Sequence, residues 1–345
     1  MSTGPVGLLD RKLLFVTGKG GVGKTSVASA IAMLAASRGK RTLVCEVDAK
    51  GNLADFLGVG PLRFQPTEVR KRLFAMSMDT EESLKEYMRL NLKLPLLAKM
   101  GPLARTFEFV ANAAPGVNEL LTVGKFTWEV RERNYDLVVV DASATGHVVG
   151  QLAAPVAIND LVKVGLVRSQ TDWMIDILTD ADTTGVVVVT VPEEMPVLET
   201  LELIERLRGE TEIDVASVVV NRVLPELFGR AEEEVFERLR KPDGVAALSA
   251  RVGRVAADAD ASGSGTGAEG AEGAQSDDAA GVDEVLDGAE LAVSLRRSRV
   301  PHLDRLRDGL PPGLPVLYLP YLFHRSHGVR ATARIAEGLG EELGF

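Results

Sequence analysis

The chain's most specific chemistry is concentrated in one short stretch, Gly18-Lys19-Gly20-Gly21-Val22-Gly23-Lys24-Thr25, which reads as a glycine, four residues, then Gly-Lys-Thr. The glycines let backbone N–H groups converge on phosphate oxygens, and the start of a helix adds a positive dipole. Lys24 is placed to neutralise β and γ charge, and Thr25 to ligate magnesium. The stretch follows an apolar run and opens a helical pattern, which is the context this motif needs. Gly18 through Ser26 are therefore expected to bind ATP with Mg2+. Lys19 is the unusual member. Two lysines so close repel each other without a polyanion, so Lys19 is given a second role.

Further polar residues stand at the ends of apolar runs, where an open α/β sheet binds ligands. Asp48 follows one such run, in the segment Asp48-Ala49-Lys50-Gly51-Asn52-Leu53. Asp141 ends another, and a strand that delivers it rigidly could make it the carboxylate behind a magnesium-bound water. Thr25, Asp48 and Asp141 are the expected magnesium set. His147 lies just downstream and is discounted as a catalyst, because phosphoryl transfer needs positioning and charge stabilisation more than a proton shuttle. Asn221-Arg222 and Pro320-Tyr321-Leu322 also close apolar runs. For each of these aspartates and the asparagine, a turn or cap residue is the lesser alternative.

The elements that must carry these groups are legible as short Val- and Leu-rich runs: 12–17, 42–47, 137–141, 186–191, 215–221 and 316–320. Such runs read as strands buried on both faces. Helical stretches such as 25–38 and 193–207 alternate with them, which predicts a doubly wound, mostly parallel α/β sheet. The span 67–130 is rich in Leu and Met in helical patterns and shows no convincing strand, so it reads as an inserted helical subdomain. Residues 256–281 are almost all Ala, Gly, Ser, Asp, Glu and Thr, a composition expected to give a disordered acidic linker. Charged helical patterns at 228–240 and 282–297 flank it and are expected to pair. The resulting division is 1–66 for the phosphate loop and first switch, 67–130 helical, 131–255 core, 256–281 linker, and 282–345 for the closing helix, strand and helix.

With its extra Lys19, the loop resembles the deviant phosphate loop of the arsenite-pump ATPase (ArsA) and tail-anchored-protein targeting ATPase family, whose wider class holds the nitrogenase iron protein and the septum-positioning ATPases. The match extends to actinobacterial-type anion-transporting ATPases. Asp48 to Leu53 sits where the family has its first switch, and Asp141-Ala142-Ser143-Ala144-Thr145-Gly146-His147 is similar to its second. The resemblance implies a P-loop NTPase fold over more than half the chain. It implies a Lys19 that reaches across a dimer interface and an Asp48 that positions the attacking water or takes its proton. It also implies adenine contacts from Asn221, Arg222, Pro320, Tyr321 and Leu322. Lys19, Lys24 and Asp48 are thus the expected catalytic residues. The family's usual proline and histidine are replaced by Ala49 and Gly51, and a second-switch proline by Ala144.

Composition narrows the partners. Lys and Arg total 39 against 49 Asp and Glu, a formal net charge of −10, which disfavours nucleic acid. One cysteine rules out an internal disulfide, a zinc-stapled dimer and a thiolate site for arsenite. The start of the chain lacks a signal-peptide pattern and no long apolar run occurs, so a cytoplasmic enzyme is expected. Met88, Leu90, Leu92, Leu94, Leu96, Leu97, Met100, Leu103, Phe107, Phe109 and Val110 form an apolar set broad enough for a hydrophobic client or membrane-protein helix, or for packing on the core. The basic residues among them, Lys85 to Arg105, read as a solvated face. The first expectation is a Mg-dependent dimeric ATPase, homo- or heterodimeric, whose nucleotide state controls a helical client surface. The alternative is an ATP-binding regulatory subunit that hydrolyses little and pairs with a related active chain. A septum-positioning role ranks last, because the chain's end carries Glu337, Glu341 and Glu342 where a basic membrane-facing tail would be needed.

Overall fold

Runs of valine and leucine shed water on both faces only if helices cover both sides of the sheet, and this is the architecture of the computed structural model. It describes residues 7–48, 52–92, 116–162, 164–262, 274–323 and 328–345. Contacts divide the chain into two units, Met1–Val223 with His302–Phe345, and Leu224–Pro301.

The first unit is a doubly wound α/β sheet of eight strands in the order β3-β4-β2-β5-β1-β6-β7-β8. The central strands are β1 (Leu13–Gly18), β2 (Thr42–Glu46), β5 (Leu137–Asp141), β6 (Thr184–Thr190) and β7 (Val215–Val223), with β8 (Val316–Pro320) at one edge. All pairings are parallel except that between β3 (Thr67–Arg70) and β4 (Leu73–Ser77). One face buries Leu14, Val16, Val44 and Val139 under α1 (Lys24–Ser37), α2 (Asn52–Leu57) and the last helix, α11 (Val329–Glu342). The other buries Phe15, Leu43, Val138 and Val188 under α4 (Val117–Arg131), α5 (Thr145–Leu161), α6 (Leu166–Thr179) and α7 (Glu194–Glu210). Cys45 lies fully buried on β2, and burial pushes its thiol pKa well up.

The span expected to be helical from residue 67 opens instead with β3 and β4, followed by α3 (Thr80–Leu92). β4, Leu-Phe-Ala-Met-Ser, has no β-branched residue and suits a helix as well as a strand, and β3 is an edge strand of Thr-Glu-Val-Arg with a mostly exposed surface, so neither carries a clear strand signal. Residues 93–115, which hold Leu94 to Val110 of the apolar set, lie outside the described residues, as do Ala49, Lys50 and Gly51.

The second unit contains α8 (Arg230–Leu239), α9 (Pro242–Ser262) and the portion up to Pro301 of α10 (Ala274–Gly309). Phe236, Val282 and Leu286 form its small core, with Phe228 stacked on Phe236 at 4.6 Å. Arg297 pairs with Glu233 at 2.9 Å, and Arg240 pairs with Glu290. The flanking segments pair as expected. The span 256–281, however, is helical at both described ends: α9 runs to Ser262 and α10 starts at Ala274. Alanine has the highest helix propensity, so a composition too polar for a core still extends a helix begun elsewhere. Residues 263–273 lie outside the described residues.

Candidate functional site

Strand order reverses at β1, with β5 and β2 to one side and β6 and β7 to the other, and ligand crevices form beyond the carboxyl ends of strands at such a switch point. The loop Gly18–Gly23 leaves β1 at this point and enters α1 at Lys24. Two of its glycines are fixed by sterics. A Cβ on Gly18 would sit 2.1 Å from the Val189 carbonyl oxygen on β6, and one on Gly23 would sit 2.4 Å from Asn221 Nδ2. Both also have positive φ, 149° and 98°. Gly20 and Gly21 are exposed, so the loop's backbone faces solvent and not another element.

Behind the loop, Thr25 Oγ1 donates to Asp141 Oδ2 at 2.6 Å. Asp141 is buried, and its Oδ1 has no hydrogen-bond partner. Burial pushes its pKa up to about 6; the Thr25 hydroxyl and Lys24 oppose the rise, while Glu46 and Asp48 add to it. A hydroxyl beside a buried carboxylate with an orphaned oxygen is a hard-oxygen donor set. It fits Mg2+, which takes few protein ligands and keeps several waters. Asp48 lies exposed past the end of β2 and is close enough to Asp141 to perturb it. Thr17 Oγ1 donates to the Ser143 carbonyl at 2.9 Å, tying the end of β1 to the segment that starts α5.

The structure thus brings Gly18 to Ser26, Asp48 and Asp141 to one edge of the sheet. Asn221 ends up beside the loop, where its Nδ2 donates to the Val22 carbonyl at 2.9 Å and its Oδ1 accepts from the Arg222 N–H at 2.9 Å. One N–H and one lone pair of the carboxamide remain for a base edge. Arg222 is a non-glycine residue in the left-handed region, φ 57°. At the end of β8, the Tyr321 N–H donates to the Val223 carbonyl at 2.8 Å. Tyr321 and Phe323 expose tilted rings with centroids 5.0 Å apart. His147 is exposed on the first turn of α5.

Lys19 has a partner within its own chain. Its ammonium pairs with the Glu199 carboxylate on α7, and Glu199 also accepts a long 3.5 Å hydrogen bond from Thr145 Oγ1 at the start of α5. Sequence reasoning missed Glu199, since 180 residues separate it from Lys19 and no local pattern marks it. It also missed Glu46, buried at the end of β2, whose Oε1 accepts the Asn52 N–H at 3.0 Å and the Leu53 N–H at 3.5 Å and so caps α2. An acidic residue closing an otherwise apolar strand was its only sequence signal.

A cavity of about 250 Å³ opens between α3, α4, α5 and α6, lined by Tyr87, Leu121, Trp128, Ile158, Trp173 and Met174 among others. Trp128 and Trp173 meet edge to face with centroids 6.4 Å apart. Lys125 at its border is held by Glu86 at 2.6 Å and Glu129 at 2.8 Å. No described helix is long and apolar enough to cross a membrane.

Against known proteins, a family model described as anion-transporting ATPase matches residues 11–175 and 167–243. ATPase BagA of Mycobacterium tuberculosis is 33% identical over 232 residues, which is 64% of this chain and 68% of the relative. ATPase ASNA1 homolog 1 of Paramecium tetraurelia is 30% identical over 254 residues, 62% of this chain and 75% of the relative. The ATPase ASNA1 homolog of Entamoeba dispar is 26% identical over 257 residues, 62% and 77% respectively.

Proposed function

The chain belongs to the anion-transporting ATPase family, and on that premise we propose that it is a cytoplasmic Mg-dependent ATPase that works as a dimer and couples ATP hydrolysis to an apolar surface on α3 to α6. The observation that carries the reading is the Thr25–Asp141 pair, with its orphaned Oδ1, directly behind a phosphate loop at the sheet's switch point. In this reading the loop's N–H groups and Lys24 cradle the β and γ phosphates, so charge that develops on them meets preorganised donors. Thr25 and Asp141 would hold magnesium, which would supply neutralisation of the phosphate charge. Asp48 orients the attacking water from the end of β2, and Asn221 with Arg222 and the 320–322 segment borders the base. Lys19 completes the site of a second subunit once it leaves Glu199.

Coupling to a client rests on α5, which starts at Thr145 beside the loop and carries Ile158 into the cavity wall. A shift of the 141–147 segment on nucleotide exchange would move that wall as a lever. A hydrophobic helix of a client or membrane protein is the partner such a wall suits. The partner subunit is another copy of this chain or a related ATPase chain.

A second reading is favoured by the Lys19–Glu199 pair, which keeps the lysine in its own subunit: a regulatory ATP-binding subunit with little turnover of its own. The test is Mg-ATP turnover per subunit against protein concentration, with Lys24→Ala as the blank. A rise from near zero to a plateau supports the self-sufficient dimer, because a shared site obeys mass action. Turnover at the blank level throughout supports the regulatory subunit, and robust turnover abolished by Asp48→Asn excludes it.

A further inference from the structure

Polar residues precede β1, β2, β4, β5 and β6, and the backbone ladder lines them up at the sheet edge opposite the phosphate loop. The Lys12 N–H donates to the Thr183 carbonyl at 2.8 Å, and the Lys12 carbonyl accepts from the Val138 N–H at 2.8 Å. The Arg41 carbonyl accepts from the Asp136 N–H at 2.7 Å, and the Arg72 carbonyl from the Thr42 N–H at 2.8 Å. A cavity of about 580 Å³ opens at this edge, between the last turns of α4 and α6 and the starts of β1 and β5. Lys12, Arg131, Arg133, Tyr135, Asp136 and Ile177 are among its lining residues. Its three cations are exposed and therefore reachable. None meets a carboxylate: among the described residues the Lys12 and Arg133 side chains make no hydrogen bond or ion pair. The Arg131 guanidinium lies over the Trp173 ring at 4.6 Å and the Trp128 ring at 6.0 Å, which holds it in place with its in-plane N–H groups free. Arg133 sits where the backbone favours glycine. It closes α4, with its N–H on the Val130 carbonyl at 3.1 Å and the Asn134 N–H on the Glu129 carbonyl at 3.1 Å, and its φ of 55° is left-handed. An arginine there strains the turn and gains no contact within the fold, which marks its side chain for a partner outside it. Three cations against the one carboxylate of Asp136 leave the cavity with a charge of +2, in a chain whose net charge is −10. The end of α4 offsets only about half a charge of this. Asp136 Oδ2 accepts the Arg41 N–H at 2.7 Å, and its other oxygen has no partner among the described residues.

We propose that this cavity binds a phosphate monoester on a small hydroxylated body, a ligand of the sugar-phosphate class, at a site separate from the phosphate loop. The ester dianion matches the charge of the cavity, and the forks of Arg131 and Arg133 with the Lys12 ammonium supply donors for its oxygens. The remaining Asp136 oxygen accepts a hydroxyl, and Tyr135, Val130 and Ile177 give the carbon skeleton a wall. The experiment is calorimetric titration of glucose 6-phosphate into the full chain, with Mg-ADP present in excess to keep the phosphate loop out of the measurement. Saturable binding is expected, with none for glucose and at least tenfold weaker binding for inorganic phosphate. Arg133→Gly should weaken binding about tenfold, the usual range for losing a charged hydrogen bond, while the urea midpoint stays level or rises because glycine suits the turn. Lys12→Gln, at an exposed position, should weaken binding to a similar degree. Absence of saturable binding, affinity unchanged in both variants, or glucose or inorganic phosphate binding as tightly as the ester would each overturn the proposal. Binding to vesicles that carry phosphatidylinositol phosphate, with no binding of glucose 6-phosphate, would overturn it in favour of a lipid headgroup.

Discussion

At the scale of single residues, two carboxylates define how the proposed nucleotide site is poised. Asp141 has an ordinary value of 3.8 raised to about 6 by burial, so the folded chain holds its proton more tightly than the unfolded chain. The sign follows: between about pH 4 and pH 6 the folded state binds more protons, stability falls as pH rises, and above that window the penalty is constant. Asp141→Asn keeps an acceptor for Thr25 and removes the charge. Urea denaturation in the presence of a chelator should find the variant more stable than wild type at pH 8 by about 2–3 kcal/mol, with the gap closing toward pH 4. A variant less stable than wild type at pH 8 would show that the carboxylate is solvated after all. Glu199 poses the second test. Glu199→Gln frees Lys19 from a partly exposed pair, so under the proposed dimeric ATPase the protein concentration for half-maximal turnover should fall about threefold. Turnover that drops at every concentration would instead make Glu199 a support of the active form.

At the scale of elements, helices α3 and α4 are joined through one buried charge. Lys125 has 4% of its side chain exposed and is flanked by Glu86 and Glu129, which more than offset burial and raise its pKa. Lys125→Met strands Glu129 in the interior and should cost about 3 kcal/mol in urea unfolding, much of it recovered when Glu129→Gln is added. Additive losses in the double variant would mean that the pair does not interact. Element recognition from sequence followed the same physics. The inner strands announce themselves because double-sided burial demands uninterrupted Val and Leu, and β5 has the bounds the sequence predicts, as does β8 at the sheet's edge. Edge strand β3 has no such demand, and its neighbour β4, Leu-Phe-Ala-Met-Ser, lacks the β-branched residues that mark the inner strands and reads as well for a helix. The phosphate loop and Asp141 are equally legible, because their chemistry is local to one strand end. Glu199 and the cavity at Arg133 are not, since each depends on strands and helices far apart in the chain.

At the scale of the whole molecule, the two units differ in the size of their cores. Among the described residues, the cluster of the second has three buried hydrophobic side chains, Phe236, Val282 and Leu286. Phe236→Ala should remove about 3–4 kcal/mol from that unit. Amide exchange should then accelerate in α8 and in the 282–297 stretch of α10, while β1 and β6 stay protected. Equal acceleration across the sheet would show one cooperative fold. The interior also holds the chain's single thiol. Cys45 is inaccessible and its thiolate is disfavoured, so the native protein should be silent to maleimides and other thiol reagents. Any cysteine introduced on the surface becomes the one labelled position, without first building a cysteine-free background. Spin or fluorophore pairs on α5 and α7 could then test the proposed movement of α5 in the otherwise unaltered chain.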